Sequence, residues 1–264
     1  MRSDGPMSPT CQTSHCWQTA NIVSYTSITD RGTQRSMARI ILEVCLTSAE
    51  EAKAAESAGA DRLEVNAALA LDGLTPSPGV FQLICKATSL PIIAMVRRRP
   101  GGYCPSDADF AAMQIDAEWL SNAGAAGIAV GILHRDGTVD VDRCRRIRDR
   151  IAGRKAAVFH RAFDATSDPF MALEQLIDLG FTRVMTSGRA PTTLDGAEKI
   201  RQFIERAGDR IEILPAGGIG PSNVREILAR TGCRQIHGSF RSRGSPHETT
   251  DATVVAAVRR LLDS

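Results

Sequence analysis

The chain has 264 residues, 43% of them hydrophobic and 23% charged, an ordinary globular balance with length for one large domain or two small ones. Its 32 Lys+Arg against 30 Asp+Glu leave a formal net charge of +2, far from the basic footprint of a nucleic-acid binder, and no nucleic-acid partner is expected. No run of about eighteen consecutive apolar residues occurs, so no spanning helix and no membrane partner are expected.

The N-terminus lacks the apolar core of a secretory signal. The seven cysteines are odd in number, scattered and without a CxxC pair. This pattern argues for reduced thiols and a cytoplasmic setting rather than disulfides or a tetrahedral zinc site.

Residues 1–37 are rich in Ser, Thr and Gln and show no sustained periodicity. They are expected to be a disordered extension, with the folded domain over 38–264. Cys11, His15 and Cys16 fall in this tail and are not read as a metal site. From Arg39 onward short β-branched runs alternate with amphipathic ones. The predicted strands are RIILEVCL (39–46), DRLEVN (61–66), PIIAMVR (91–97), GIAVGIL (127–133), KAAVFHRAF (155–163), RVMTSG (183–188), IEILPAGGI (211–219) and RQIHGSF (234–240). Helices are predicted between them, opening on Ser, Thr, Asp or Pro and closing on Gly. The first, SAEEAKAAESAG, carries a Ser cap with Glu three residues on and ends at Gly59. The Arg-rich run from 143 to 150 has interleaved Asp and is read as a solvated helix face. Strand then helix, about eight times at roughly thirty-residue spacing, predicts an α/β fold, a single TIM (β/α)8 barrel. An open doubly wound sheet is the alternative, but GxGxxG after the first strand is missing.

Side chains along a barrel strand alternate between the pore and the helices. Assigning the apolar positions to the helices sends Ile41, Glu43 and Cys45 inward from the first strand and Glu64 and Asn66 from the second. Met95 and Arg97 follow from the third, Val158, His160 and Ala162 from the fifth, and Gln235, His237 and Ser239 from the eighth. The polar members lie near strand carboxyl ends, where barrel sites sit. Burying carboxylates with an Arg costs several kcal/mol unless they pair, so either a ligand cavity or a closed polar plug is expected. Glu43, Glu64, Arg97, His160, Arg161 and Asp164 form the candidate catalytic set. In it His160 or a Glu is general acid or base, tuned by burial and Arg97, and the arginines clamp an anion.

Gly217 and Gly218 mark the tip of the seventh strand, and His237, Gly238 and Ser239 the tip of the eighth. Loops after these strands often hold phosphate on backbone N–H groups, so an anion is a candidate ligand there, with Ser187 and Gly188 as further donors. Cys45, Cys104, His160 and His237 are candidate metal ligands, because thiolate and imidazole suit Cu(I).

The segments LEVC (42–45), GADRLEV (59–65), GLTPS (73–77), FHRAFD (159–164), TSG (186–188), AGGI (216–219) and IH (236–237) together resemble the CutC family of copper homeostasis proteins. The resemblance spans about residues 39 to 240. It implies a TIM barrel, a cytosolic setting, homo-oligomerisation, and Cu(I) held by cysteines near the barrel mouth. Cys45 matches one implied ligand. Asn66 stands where the family commonly has the second Cys, so Cys104, His160 or His237 is expected to complete the site. Copper handling is thus the expected function. An isomerase, lyase or aldolase acting on a small phosphorylated or carboxylated metabolite is the alternative, and a scaffold without chemistry the third reading.

Overall fold

The computed structural model describes residues 39–264 apart from 152, 154 and 242–248. The expected disordered tail, with Cys11, His15 and Cys16, lies outside the described residues. Eight short strands carry the fold: β1 (Ile41–Leu46), β2 (Arg62–Val65), β3 (Ile92–Met95), β4 (Gly127–Val130), β5 (Ala156–Phe159), β6 (Arg183–Thr186), β7 (Glu212–Pro215) and β8 (Gln235–Gly238). Each is followed by a helix: α1 (Ala49–Ser57), α2 (Pro78–Ala87), α3 (Asp107–Asn122), α4 (Val141–Arg148), α5 (Pro169–Asp178), α6 (Ala197–Ala207), α7 (Val224–Thr231) and α8 (Ala252–Leu262).

Local chemistry starts the helices where the sequence suggests. The hydroxyls of Ser48, Ser77 and Ser106 accept from the backbone N–H three residues on, at the heads of α1, α2 and α3. Asp168 caps α5 with Pro169 in its first turn.

All ladders are parallel, in the order β7-β6-β5-β4-β3-β2-β1-β8. Having β8 beside β1 is the wrap of a barrel, and the doubly wound alternative is excluded. Between β7 and β8 the barrel is joined by one parallel bridge, Ala216 to His237, so closure is nearly complete.

Alternation along the strands divides the core into two layers. Leu42, Val44, Leu63, Val65, Val130 and Phe159 belong to the large cluster under the helices. Ile93, Met95, Ala129 and Val158 form a separate cluster in the pore, and Met185, Leu214 and Ala216 another. Each strand is shorter than its apolar run. The fifth departs most: it ends at Phe159, and Arg161–Ala165 wind into a 3-10 turn. Ala162 therefore packs in the helical layer with Phe163 and does not point into the pore. No helix among the described residues is long and apolar enough to cross a membrane.

Candidate functional site

Three adjacent strands, β8, β1 and β2, turn polar side chains into the pore. Their register sets Glu43 opposite His237 and Cys45 opposite Glu64. As a result one ligand atom each from Cys45, Glu64 and His237 lies within 4.8 Å of the others, and all three residues are buried. No other such group of three metal-ligating side chains occurs among the described residues.

His237 is held from both sides. Its Nδ1 is 2.8 Å from Glu43 Oε1, and its Nε2 is 3.8 Å from Glu64 Oε2. Burial alone would discharge this imidazole, but Glu64, Cys45 and Glu43 hold it well above its ordinary value. Burial would likewise raise Glu43, yet the charge of Arg62 and the bond to His237 keep its carboxyl below the usual carboxylate range. Glu64 moves the other way, because burial outweighs the attraction of His237 and the nearby Glu43 adds repulsion. Arg62 also donates to Gln235 Oε1 at 2.9 Å, and Arg183 pairs with Glu212 at 2.8 Å beneath the site. The buried carboxylate is therefore answered by Arg62 and not by Arg97.

Above this floor opens a cavity of about 1110 Å³. Cys45, Glu64, Arg97, His160, Arg161, Asp164, Gly217, Gly218, His237, Gly238 and Ser239 all line it, so the eleven come from six of the eight strand ends. Glu43 does not line it; it sits one step deeper, 1% exposed. Ser187 and Gly188 are likewise absent from the wall. The Ser187 amide is taken by Asp164 and the Gly188 amide by Thr186 Oγ1. Cys104 is exposed and lines a separate hollow of about 100 Å³ in the loop after β3. The structure thus brings Cys45 and His237 together with Glu64, and leaves Cys104 and His160 out of that group.

The remaining candidates have partners that define their roles. Arg97 donates through Nη1 to the carbonyls of Leu71 (3.0 Å), Asp72 (3.3 Å) and Gly73 (3.2 Å), tying down the loop after β2. Its guanidinium also lies over the Tyr103 ring, which packs against His160 at 5.4 Å between centroids. Asp164 accepts from Thr186 Oγ1, the Ser187 and Arg189 amides and Arg161 Nε, which makes it the brace of the β6–α6 loop. Asn66 donates to Glu64 Oε2 at 2.9 Å and so orients a cluster member without being one.

His160 is 3% exposed. Its Nδ1 accepts from the Ala162 amide at 3.1 Å, which leaves the proton on Nε2. Burial and the charge of Arg97 push its pKa down to about 3. Nε2 has no partner, and neither do Glu64 Oε1, Asn66 Oδ1 and Arg97 Nε, all buried and all on residues of the cavity wall. Such a concentration of unanswered polar atoms is unusual in a core.

Arg62 and Arg183 are pore residues that motif reading passes over. Strand parity was the available signal, since each stands next to a residue of the helical layer, Leu63 and Val184. Tyr103 carries no such signal, because it lies in a loop.

These features define a TIM-barrel protein with a polar site at the carboxyl ends of its strands, built around a thiol, an imidazole and a carboxylate. The chain belongs to the CutC family, whose profile matches residues 40–242. A CutC-family protein of Treponema denticola is 47% identical over 76% of this chain and 81% of its own length. The Homo sapiens relative, named copper homeostasis protein cutC homolog, is 40% identical over 76% of this chain and 74% of its own. The crystal structure of CutC from Streptococcus agalactiae superposes with a TM-score of 0.72 at 28% identity, covering 76% of this chain and 98% of that one. Phosphoribosylanthranilate isomerase of Thermotoga maritima, with a TM-score of 0.56 and 14% identity over 85% of this chain, shares the fold alone.

Proposed function

We propose that the chain binds copper(I) at Cys45 and His237, with Glu64 beside them, and serves in copper homeostasis. The meeting of these three buried side chains on adjacent strands carries the reading. Their chemistry fits the ion: sulfur and imidazole are the donors that Cu(I) prefers, while the carboxylate supplies compensating charge. Glu43 supports the fit from behind. A ligating histidine usually gives its other ring N–H to a carboxylate, which fixes the ring and raises its basicity, and the Glu43–His237 bond has that form. Asn66 occupies the place of a second thiol, so His237 takes that thiol's part in the site. The relatives' names support copper over zinc, which the same donor set would accept.

The five described cysteines are all free thiols, in keeping with a reducing, cytoplasmic compartment. We also propose a homo-oligomeric state, as membership of the family implies.

Anaerobic Cu(I) titration against a competing chelator tests the site. The native chain is expected to take up one tight equivalent, with Cys45→Ser and His237→Gln each weakening it by a factor of about ten to a hundred. Equal, weak uptake by all three proteins would end the copper reading. Tight uptake of zinc but not of Cu(I) would reassign the metal.

A further inference from the structure

Cys45, Glu64 and His237 come from β1, β2 and β8, three strands that are neighbours in the sheet. They stand together on one side of the pore, and all three belong to the wall of the large cavity. An ion held by them would meet protein on one side and the cavity on the other.

Only one of the three donors is sulfur, and Cu(I) is a soft ion that thiolates select. The other described cysteines are not placed to supply a second thiolate. Cys144 and Cys233 are buried in the helical layer, and Cys85 packs against it. Cys104 is exposed at the separate hollow after β3. Asn66, in the place of a second thiol, gives its Nδ2 to Glu64 Oε2. Met95 and Met185 do line the cavity. Each packs in its own apolar cluster, however, and a thioether brings no charge to the ion. The cavity measures about 1110 Å³, far more than one ion requires and enough for a molecule of metabolite size.

We propose that a small molecule with a free thiol enters this cavity and gives the copper(I) cargo its second sulfur. The cargo is then held between Cys45 and an exchangeable thiolate. The thiol proton leaves to solvent as the sulfur–copper bond forms, and neither partner changes oxidation state. Such a ligand gives the cargo a way in and out by exchange, without parting of the strands that carry Cys45, Glu64 and His237.

The test uses the full chain, loaded anaerobically with one equivalent of Cu(I) in thiol-free buffer, with uptake measured before any thiol is added. Glutathione is then compared with S-methylglutathione, which keeps the charges and nearly the size but has no free thiol. X-ray absorption is expected to show one sulfur per copper before addition, two with glutathione, and one with S-methylglutathione. Native mass spectrometry should find one copper and one glutathione on each chain. Ala70 is an exposed residue of the cavity wall outside the metal cluster. Ala70→Trp should weaken glutathione uptake by about tenfold or more and leave copper uptake unaltered. Should this variant lose its native circular dichroism, Ala165→Trp, also on the wall, takes its place. Two sulfurs before any thiol is added, a spectrum that glutathione leaves unaltered, or an equal effect of S-methylglutathione would each overturn the proposal. So would removal of the copper by one equivalent of glutathione, or undiminished glutathione uptake in the tryptophan variant. The proposal rests on the copper reading, and the two fail separately: no uptake in the first step ends both, whereas uptake followed by an unaltered spectrum ends this one alone.

Discussion

His237 and His160 are both buried, yet their surroundings push them in opposite directions. Two carboxylates and a thiol face His237, while Arg97 and a backbone amide face His160. His160 is therefore expected to stay neutral down to about pH 3, with its proton on Nε2. Nitrogen-15 NMR of the ring checks this, and titration near the ordinary 6.5 would contradict it. The linked effect on stability has a definite sign. The folded value lies below the unfolded one, so the unfolded chain takes the proton first. Stability contributed by neutral His160 is complete above about 6.5 and declines as pH falls toward about 3. Residue type and parity were enough to bring Glu43, Cys45, Glu64, His160 and His237 inward from the sequence. They could not show what each would touch. Asp164 looks catalytic as a residue type, but the loop after β6 consumes its oxygens. Arg97 looks like an anion clamp, but three carbonyls from a distant loop hold its Nη1. Such partners come from loop geometry, which has no period to read.

At the scale of elements, caps were the most legible signals and strand ends the least. Asp168 accepts from the Phe170 and Met171 amides at 3.0 Å each, at the start of α5. Asp168→Ala is expected to cost about 1 kcal/mol in a urea melt, the usual loss of an N-cap. A loss under a few tenths would mean that Pro169 alone sets the helix start. The end of β5 shows why boundaries fail. Hydrophobicity runs on through Ala162 and Phe163, since both are buried. What stops the strand is His160, whose Nδ1 takes the Ala162 amide and turns the chain. An apolar run reports burial and does not report which backbone partner is present. That turn is also what presents Arg161 and Asp164 at the cavity rim.

For the whole molecule, the even strand–helix repeat was sufficient to predict the barrel, and β8 beside β1 is its direct consequence. The incomplete seam had no sequence signal. Between β7 and β8 the backbone makes one bridge, and side chains do the rest: Gln235 reaches Glu212 Oε2 at 3.3 Å and the Ile213 carbonyl at 3.4 Å. Native-state hydrogen exchange should therefore find β7 and β8 amides at this seam opening before those of the β1–β2 ladder. Uniform protection around the barrel would contradict that order. The proposed copper site lies in the floor beneath the cavity, where β8, β1 and β2 meet. X-ray absorption of the Cu(I)-loaded protein tests it most directly, because the spectrum reports the donor atoms themselves. One sulfur and one imidazole nitrogen are expected, with the sulfur lost in Cys45→Ser, the imidazole lost in His237→Gln and both retained in Cys104→Ser. A copper environment without imidazole, or one whose sulfur vanishes with Cys104, would contradict the account.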